Sequence, residues 1–247
     1  MRGLWKLTLV EAKLFLREPE AAFFTLAFPL VMLFIFGGIY GNEPTPFFSG
    51  RGMVDVSTPA YMAMIIGTTG LLSIAIHVAN YRERGILRRY RATPLHPTAI
   101  LASQVAVNFV MTLLGALLLV IAAKLVYNLR FEGDVLSVLA GFTLSTLSFL
   151  SIGFLLASLT PTARAANIVG MVVFYPNLFL SGATIPKEVF PETINIVSRA
   201  LPLTYVVRLL QGLWFGEPWG EHLVEAAVLL GMLVVGVAVS AWTFRWE

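Results

Sequence analysis

Residues 81–97 read YRERGILRRYRATPLHP and lie between two long apolar runs. Five arginines and one acid, Glu83, fall between Tyr81 and Arg91, although the whole chain has only 17 lysines and arginines in 247 residues. Arginines that directly follow an apolar run of membrane-spanning length favour the cytoplasmic side of a membrane. The stretch therefore separates two predicted spans and indicates the side on which their connection lies.

Apolar runs like those beside this stretch recur along the chain and decide the fold class. Of all residues, 57% are hydrophobic and 13% are charged, whereas about 25% of the residues in a soluble domain are charged. Runs of about 20 residues with almost no charge predict membrane-spanning helices. We predict an all-α polytopic membrane protein with a single membrane domain over 1–247. Its six spans are placed at 21–41, 58–80, 98–124, 135–159, 165–182 and 222–243.

The distribution of lysine and arginine predicts the orientation. With the N-terminus inside, 11 of the 17 basic residues lie on the cytoplasmic side and 6 lie outside, which is the usual bias. We expect a multi-pass protein of the cell membrane, in contact with lipid, with both termini cytoplasmic. The net charge of +3 does not indicate nucleic-acid binding, because the bases cluster at the ends of spans.

Residues 1–20 predict an amphipathic helix that lies in the membrane plane. Its basic residues, Arg17 among them, share one narrow sector at 100° per residue, and its leucines occupy the opposite side. Glu11 and Glu18 lie within the apolar arc. These two acids either snorkel toward water or pair locally, or they face a cytoplasmic basic partner, for which the arginines of 81–97 are one candidate.

The sequence lacks the motifs of several enzyme classes. No G-x-x-x-x-G-K-[ST] occurs, so the chain cannot hold a nucleotide in a P-loop by itself. Neither H-E-x-x-H nor G-x-S-x-G occurs, and His77, His96 and His222 are far apart in sequence. No acid lies in the middle of a predicted span, Glu225 being the nearest, which argues against a proton antiporter. We expect no catalytic site, metal or cofactor on this chain.

Spans two and five each carry a polar stripe at three-to-four residue spacing, and two interpretations stay open. Small and hydroxyl side chains mediate close helix packing, which is also the interpretation for similar stripes on spans three and four. Weakly polar and aromatic side chains can instead line a path for an amphipathic or apolar compound. The residues that would line such a path are Met62, Ile66, Thr69, Ser73, Asn167, Phe174 and Asn177.

The segment 181–214 is too polar and too rich in proline to span a membrane, yet too apolar to be a free loop. Pro186, Pro191 and Pro202 can each start a helical turn. We predict two short re-entrant helices within 186–214 that dip into the outer leaflet. They would pack on the spans, because irregular backbone at that depth must be covered by protein.

Residues 81–97 have a pattern that is not needed merely to keep this connection in the cytoplasm. On a helix their arginines would share one side, while apolar residues would share another and face a partner. Pro94 and Pro97 would then end the helix. The pattern predicts a short amphipathic helix within 81–97. Its predicted contact residues are Glu83, Arg84, Ile86, Leu87, Arg88, Tyr90 and Arg91.

Two blocks and one short motif resemble a known family. ERGILRRYRATPLHP, residues 83–97, resembles the cytoplasmic coupling segment of type-2 ABC exporter permeases. SGATIPKEVFPETINIVSRALPLTYVVR, residues 181–208, is similar to the block that follows span five in that family. LREP, residues 16–19, resembles the end of its interfacial helix. The resemblance covers the chain in order and looks closest to the daunorubicin-resistance type, because no large extracellular domain is present.

The resemblance implies a permease subunit that exports a drug, antibiotic or lipid-like compound. A separate ATP-binding cassette subunit would hold ATP and Mg²⁺ and push on the coupling helix, and the interfacial helix would carry the same movement. Two permease copies, as a homodimer, would line the path with spans two and five. The alternative is a nucleotide-independent secondary carrier or a membrane scaffold. The helices of 186–214 would form an outer gate with Pro186, Phe190, Pro202 and Tyr205.

Overall fold

The computed structural model describes residues 22–85 and 97–243. Six of the described helices are long and apolar enough to cross a membrane. The described residues contain no β-strand, only an isolated bridge between Thr45 and Arg51. The predicted helical fold with six helices of membrane-spanning length is therefore confirmed for the described residues. The predictions for 1–20, for the coupling residues after Gly85 and for Glu11, Arg17 and Glu18 lie outside the described residues.

The helices are numbered here in chain order. The six spans are α1 (Phe28–Tyr40, after a π-helical turn at Phe23–Ala27), α2 (Met53–Glu83), α3 (Pro97–Tyr127), α4 (Val135–Leu159), α5 (Ala163–Leu180) and α8 (Leu223–Thr243). Two shorter helices, α6 (Glu192–Ser198) and α7 (Pro202–Trp214), connect α5 to α8. Compared with the prediction, α2 is longer at both ends, and its middle is a π-helical turn at Thr69–Ser73.

Side-chain caps determine where two of the spans begin. Asp134 precedes α4, and its Oδ2 accepts a hydrogen bond of 2.8 Å from the backbone N–H of Ser137. This bond holds the pKa of the Asp134 carboxyl below its usual value. Thr162 precedes α5, and its Oγ1 accepts a hydrogen bond of 3.1 Å from the N–H of Ala165. Both are residue types that favour the position before a helix, because they satisfy an N–H that has no partner within it.

α2 is the central helix of the bundle. Every residue from Met53 to Thr68 is buried, because α1, α3, α4, α5 and α7 all contact α2. A helix that is apolar on all sides is typical of such a position. The other spans keep exposed apolar residues, among them Leu125, Val172 and Trp242, on surfaces that a bilayer would cover.

The π-helical turn of α2 lies where α2 and α4 approach most closely. A Cβ on Gly70 would lie 2.6 Å from the Cβ of Phe149, and a Cβ on Gly153 would collide with the carbonyl oxygen of Gly70. Small residues permit this approach of two membrane helices. The π-helical turn is a rare feature that is frequent at functional sites, and here it lies at the middle of the bundle.

Serine hydroxyls join α4 to α8. Ser148 Oγ donates a hydrogen bond of 2.7 Å to the carbonyl oxygen of Leu229, and Ser151 Oγ donates one of 3.3 Å to that of Met232. These contacts agree with the packing role that the sequence indicated for the polar residues of span four, since hydroxyl groups bond across neighbouring membrane helices.

α7 runs antiparallel to the first half of α2. Gln211 Nε2 donates a hydrogen bond of 3.0 Å to the carbonyl oxygen of Val56, and Leu203 packs against Gly67, where an added Cβ would lie 3.2 Å from Leu203 Cδ1. Gly67 lies near the middle of α2, so α7 enters the bundle to that depth. The two helices expected within 186–214 are present as α6 and α7, and their position in the outer leaflet stays a prediction.

Candidate functional site

The two ends of the bundle carry different hydrogen-bonded connections. The Arg82 end contains the end of α2 and the loop between α4 and α5. The Asp55 end contains the start of α2, the loop between α3 and α4, and the end of α7. The predicted coupling segment 81–97 begins at the first of these ends. The predicted gate residues Pro202 and Tyr205 lie beside Leu71, near the middle of α2.

At the Arg82 end, α2 is joined to the start of α5. Glu83 Oε2 accepts a hydrogen bond of 2.8 Å from the backbone N–H of Ala163, the first residue of α5. The Arg82 guanidinium donates to the carbonyl oxygen of Thr160. A carboxylate at a helix N-terminus satisfies a free N–H and interacts favourably with the helix dipole. We call these two contacts the 82–163 clamp.

The clamp residues Arg82 and Glu83 are among the first residues of 81–97, the segment for which a coupling helix is predicted. α2 ends at Glu83, and the chain then turns through Gly85, whose φ of +65° suits glycine. Among the predicted coupling residues, Glu83 and Arg84 are described and exposed. The Glu83 contact with α5 was not foreseen from the sequence. The remaining predicted coupling residues, Ile86, Leu87, Arg88, Tyr90 and Arg91, lie outside the described residues.

The structure brings the predicted path residues together on two helices that touch, α2 and α5. Thr69 Oγ1 donates a hydrogen bond of 3.0 Å to the carbonyl oxygen of Ile65, and Ser73 Oγ donates one of 3.4 Å to Asn108 Oδ1 of α3. In this conformation the stripes face protein, so a path along them requires movement of α2 or α5. Met62, Ile66, Thr69, Ser73, Phe174 and Asn177 are buried, and Asn167 is half-buried.

Asn177 links the path residues to the predicted gate. Its Oδ1 accepts a hydrogen bond of 3.1 Å from the backbone N–H of Leu203, in the first turn of α7. Its Nδ2 donates one of 2.9 Å to the carbonyl oxygen of Val173 within α5. The amide of Asn177 therefore caps α7 from the side of α5, and both its polar atoms are satisfied while it is buried.

The predicted gate residues lie at the turns around α6. Pro186 is buried and precedes a 3₁₀ turn at Lys187–Val189, which Phe190 ends. Pro202 is the first residue of α7, and Tyr205 Oη donates a hydrogen bond of 2.7 Å to the carbonyl oxygen of Arg199. These contacts fix the corner between α6 and α7.

At the Asp55 end, the sequence analysis missed a buried acid. Asp55 is 2% exposed, and its carboxylate accepts hydrogen bonds from Asn42 Nδ2 at 2.9 Å, from the N–H of Gly52 at 3.2 Å and from the N–H of Arg130 at 2.8 Å. These three bonds satisfy the carboxylate and join the α1–α2 connection to the α3–α4 connection. The only signal in the sequence was an acid three residues after a glycine at the start of a helix, a spacing that can form a cap.

The end of α7 is bound to the same α3–α4 connection. Trp214 Nε1 donates a hydrogen bond of 3.0 Å to the carbonyl oxygen of Arg130. The Trp214 ring also meets the Phe131 ring edge-on, with 4.8 Å between centroids. The Arg51 guanidinium lies 3.6 Å from the centroid of the Phe215 ring, a favourable cation–π distance. Contacts among the α1–α2 connection, the α3–α4 connection and the end of α7 therefore close the Asp55 end.

Glu225, which the sequence analysis singled out, lies in a second group of polar side chains at this end. Its carboxylate is 4.0 Å from Arg208 and 3.9 Å from His222 Nδ1, and His222 Nε2 is 2.9 Å from Glu217. Glu225 and His222 are both buried. The cationic neighbour Arg208 explains how a carboxylate is accommodated there, since buried charges are usually paired.

Residues 2–215 match the family model described as ABC-2 type transporter. The chain is 26% identical over 175 residues to the inner membrane transport permease YhhJ of Escherichia coli (strain K12), which is 68% of this chain and 47% of that protein. It therefore spans about half the length of that relative.

Two further relatives match over more of their length. The daunorubicin resistance ABC transporter permease protein DrrB1 of Streptomyces coeruleorubidus is 24% identical over 225 residues, covering 89% of this chain and 76% of that protein. Nodulation protein J of Rhizobium leguminosarum bv. viciae is 26% identical over 228 residues, covering 89% and 85%.

Proposed function

The chain belongs to the ABC-2 type transporter family and is a multi-pass transport permease, and we propose that a separate ATP-binding subunit drives it to export an amphipathic or apolar compound. The ATP-binding subunit would hold ATP and Mg²⁺ and contact the segment 81–97. Two copies of the permease, as a homodimer, would enclose the path. The Arg82 end would be cytoplasmic, as the arginines of that segment predict.

The observation that carries this proposal is the 82–163 clamp. It lies at the point where the chain leaves α2 for the predicted coupling helix, and it binds the first residue of α5 through Glu83. A push on the coupling helix would therefore move the ends of α2 and α5 together. These are the two helices to which the path residues belong.

α5 offers a direct route from the coupling side to the gate. The helix begins at Ala163, held by Glu83, and near its other end Asn177 binds the N–H of Leu203 in α7. Its 18 residues correspond to a length of about 27 Å, since an α-helix rises about 1.5 Å per residue. Movement of α5 along or about its axis would change the contact that holds α7 in the bundle.

The proposed substrate class follows from the surfaces that would meet it. The predicted path residues are mainly apolar or weakly polar, and no acid or base is among them. One relative carries daunorubicin resistance in its name, which is consistent with an amphipathic drug-like compound. The interfacial helix at 1–20, with Glu11, Arg17 and Glu18, would contact the same ATP-binding subunit or lipid.

The test is reconstitution of the chain with the ATP-binding subunit that co-purifies with it. Leu87→Asp and Arg88→Glu are expected to lower transport and to uncouple ATP hydrolysis from it, with expression retained. Arg130→Glu is the matched control, because it reverses a charge at the opposite end of the bundle. Full transport with normal coupling in both coupling variants would refute the proposal.

The alternatives give different results in the same preparation. A secondary carrier predicts transport by the purified chain under an ion gradient without ATP. A scaffold predicts binding of a partner without any flux of substrate.

A further inference from the structure

A cavity of about 390 Å³ opens beside the corner that joins α6 to α7. Its size lies in the range of about 300–1,000 Å³ that is usual for ligand pockets. α2, α4, α5 and α8 supply apolar walls, and the corner supplies an arginine and a tyrosine. The residues used below are Leu71, Phe149, Val173, Met232, Arg199 and Tyr205.

The cavity lies at the middle of the bundle. Leu71 is 18 residues from the start of α2 and 12 from its end, so at about 1.5 Å per residue it lies at least about 18 Å from either end. Phe149 and Met232 are likewise near the middle of α4 and α8. The hydrocarbon core of a bilayer is about 30 Å thick, and the cavity therefore lies at the depth of that core.

Arg199 is placed at this depth by the α6–α7 corner and not by a span. The same corner contains Leu203, which packs against Gly67 near the middle of α2. The Tyr205 hydroxyl donates to the carbonyl oxygen of Arg199 and holds the corner in place. Arg199 is exposed on the single chain, and its guanidinium places a positive charge beside an apolar cavity.

The positive charge of Arg199 has no counter-charge in the part of the chain that the structure describes. Arginine ion pairs there join Arg51 to Glu132 and Arg208 to Glu225. A charged side chain at the depth of the hydrocarbon core is costly and usually marks a binding site or pathway. An anion that enters the cavity would provide the missing counter-charge.

We propose that this cavity binds the carboxylate or phosphate of an anionic amphipathic compound. The Arg199 guanidinium would bind the anion through its planar pair of N–H donors, and Leu71, Phe149 and Met232 would contact the apolar part. This inference rests on the proposed function, because it narrows the exported compounds to anionic amphipaths. Such an anion could also be the headgroup of an anionic lipid, which shares the same chemistry.

The experiment measures binding to the purified full chain in phosphatidylcholine nanodiscs, without ATP or partner. The probes are dansyl-labelled undecanoate and its uncharged amide. Undecanoate is expected to bind about ten-fold more tightly than the amide, the size of one charged hydrogen-bonded contact. Arg199→Gln is expected to abolish this difference and to leave binding of the amide unchanged, which shows that the variant is folded.

Two controls locate the site. Arg130→Gln removes the same charge at the Asp55 end, where only the backbone atoms of Arg130 make the described contacts, and it is expected to keep the ten-fold preference. Val228→Phe adds volume to the cavity wall and is expected to weaken both probes. Equal affinity of the wild type for both probes, or an unchanged preference in Arg199→Gln, would overturn the proposal.

Further measurements identify which compound occupies the site. If phosphatidylglycerol in the nanodisc competes with undecanoate in the wild type but not in Arg199→Gln, the anionic headgroup of a lipid uses the site. The absence of competition assigns the site to a free amphipath. If Arg199→Gln instead dissociates a dimer and leaves probe binding unchanged, an acid of the second copy binds Arg199 and the proposal is wrong. Binding that persists while ATP-driven export fails would overturn only the proposed function.

Discussion

The carboxylate of Glu83 lies 2.8 Å from the backbone nitrogen of Ala163, 80 residues further along the chain. This contact joins the end of α2 to the start of α5. Glu83 also lies within 81–97, the segment on which an ATP-binding subunit is proposed to act. The bundle therefore contains a direct connection between that segment and both helices of the predicted path.

Removing the charge of Glu83 tests this connection. Glu83→Gln keeps an acceptor for Ala163 but loses the interaction between the carboxylate and the helix dipole. That interaction is worth about 0.3–1 kcal/mol at an exposed site. Backbone amide hydrogen exchange in the first turn of α5 is expected to rise about two- to five-fold, and transport is expected to fall relative to ATP hydrolysis.

Arg84→Gln is the matched control for this variant. Arg84 is the next residue and is exposed, and no described contact joins its side chain to α5. In Arg84→Gln, amide hydrogen exchange in the first turn of α5 is expected to equal that of the wild type. If Glu83→Gln also exchanges like the wild type, the clamp does not hold the start of α5 in solution.

The three hydrogen bonds to Asp55 give a second prediction. Asp55→Ala leaves three donors at the Asp55 end without their acceptor, and a buried unpaired group costs about 1–3 kcal/mol. Thermal unfolding followed by tryptophan fluorescence is expected to show a loss of stability in this range or above it. Glu132→Ala, which removes an exposed carboxylate 4.0 Å from Arg51, is expected to change stability by less than about 1 kcal/mol. Equal losses in the two variants would contradict the structural role of Asp55.

The spans were predictable because each is set by its own composition. Runs of about 20 apolar residues have few alternatives to a membrane helix, and α3, α4 and α8 follow the expected ranges closely. The start of α2 was predicted at 58 but lies at Met53, because the polar Asp55 and Ser57 interrupt the apolar run that predicts a span. In the structure Asp55 accepts a hydrogen bond from Asn42 and Ser57 donates one to the sulfur of Met53, which allows the helix to begin at Met53.

The partners of the polar residues could not be predicted from the sequence. Glu83 binds α5 and Asp55 binds Arg130 across 80 and 75 residues, distances over which a single sequence carries no pairing signal. The depth of Arg199 is a further example. Charge counting placed Arg199 on the outer side of the membrane, and in the structure Arg199 lines the same cavity as Leu71, near the middle of α2. Only the packing of α6 and α7 against the spans determines that level.

The close approach of α2 and α4 gives a third prediction. In Gly153→Ala the new Cβ would collide with Gly70 and Ile74, both in α2, so the helices must separate. Overpacking of this kind costs about 1–3 kcal/mol, and the melting temperature of the detergent-solubilised protein is expected to fall. Gly231→Ala is the matched control, because nothing lies within 4 Å of the Cβ position at Gly231 in α8. Its stability is expected to be unchanged or higher, since alanine favours a helix over glycine.

The fourth prediction separates the two interpretations of the polar stripes. The chain contains no cysteine, so single-cysteine variants can be labelled without background. Thr69 lies in α2 and is fully buried by the neighbouring helices, with an exposure of 0%. Thr69→Cys is therefore expected not to react with a small charged thiol reagent in the resting protein. If α2 and α5 line a path, labelling should appear while the ATP-binding subunit turns over, and exported substrate should protect the cysteine.

Two further variants make this labelling result decisive. Ala63→Cys lies on the same helix with an exposure of 0% but outside the predicted stripe, so it should stay unreactive in every state. Glu132→Cys replaces a side chain that is 54% exposed and should react in every state. Labelling of Ala63→Cys together with Thr69→Cys would indicate general loosening of α2 and not a path. If Thr69→Cys stays inert with and without ATP while Glu132→Cys reacts, the stripe serves packing alone, because a path that carries a compound must expose its walls to water or to that compound at some stage of the cycle.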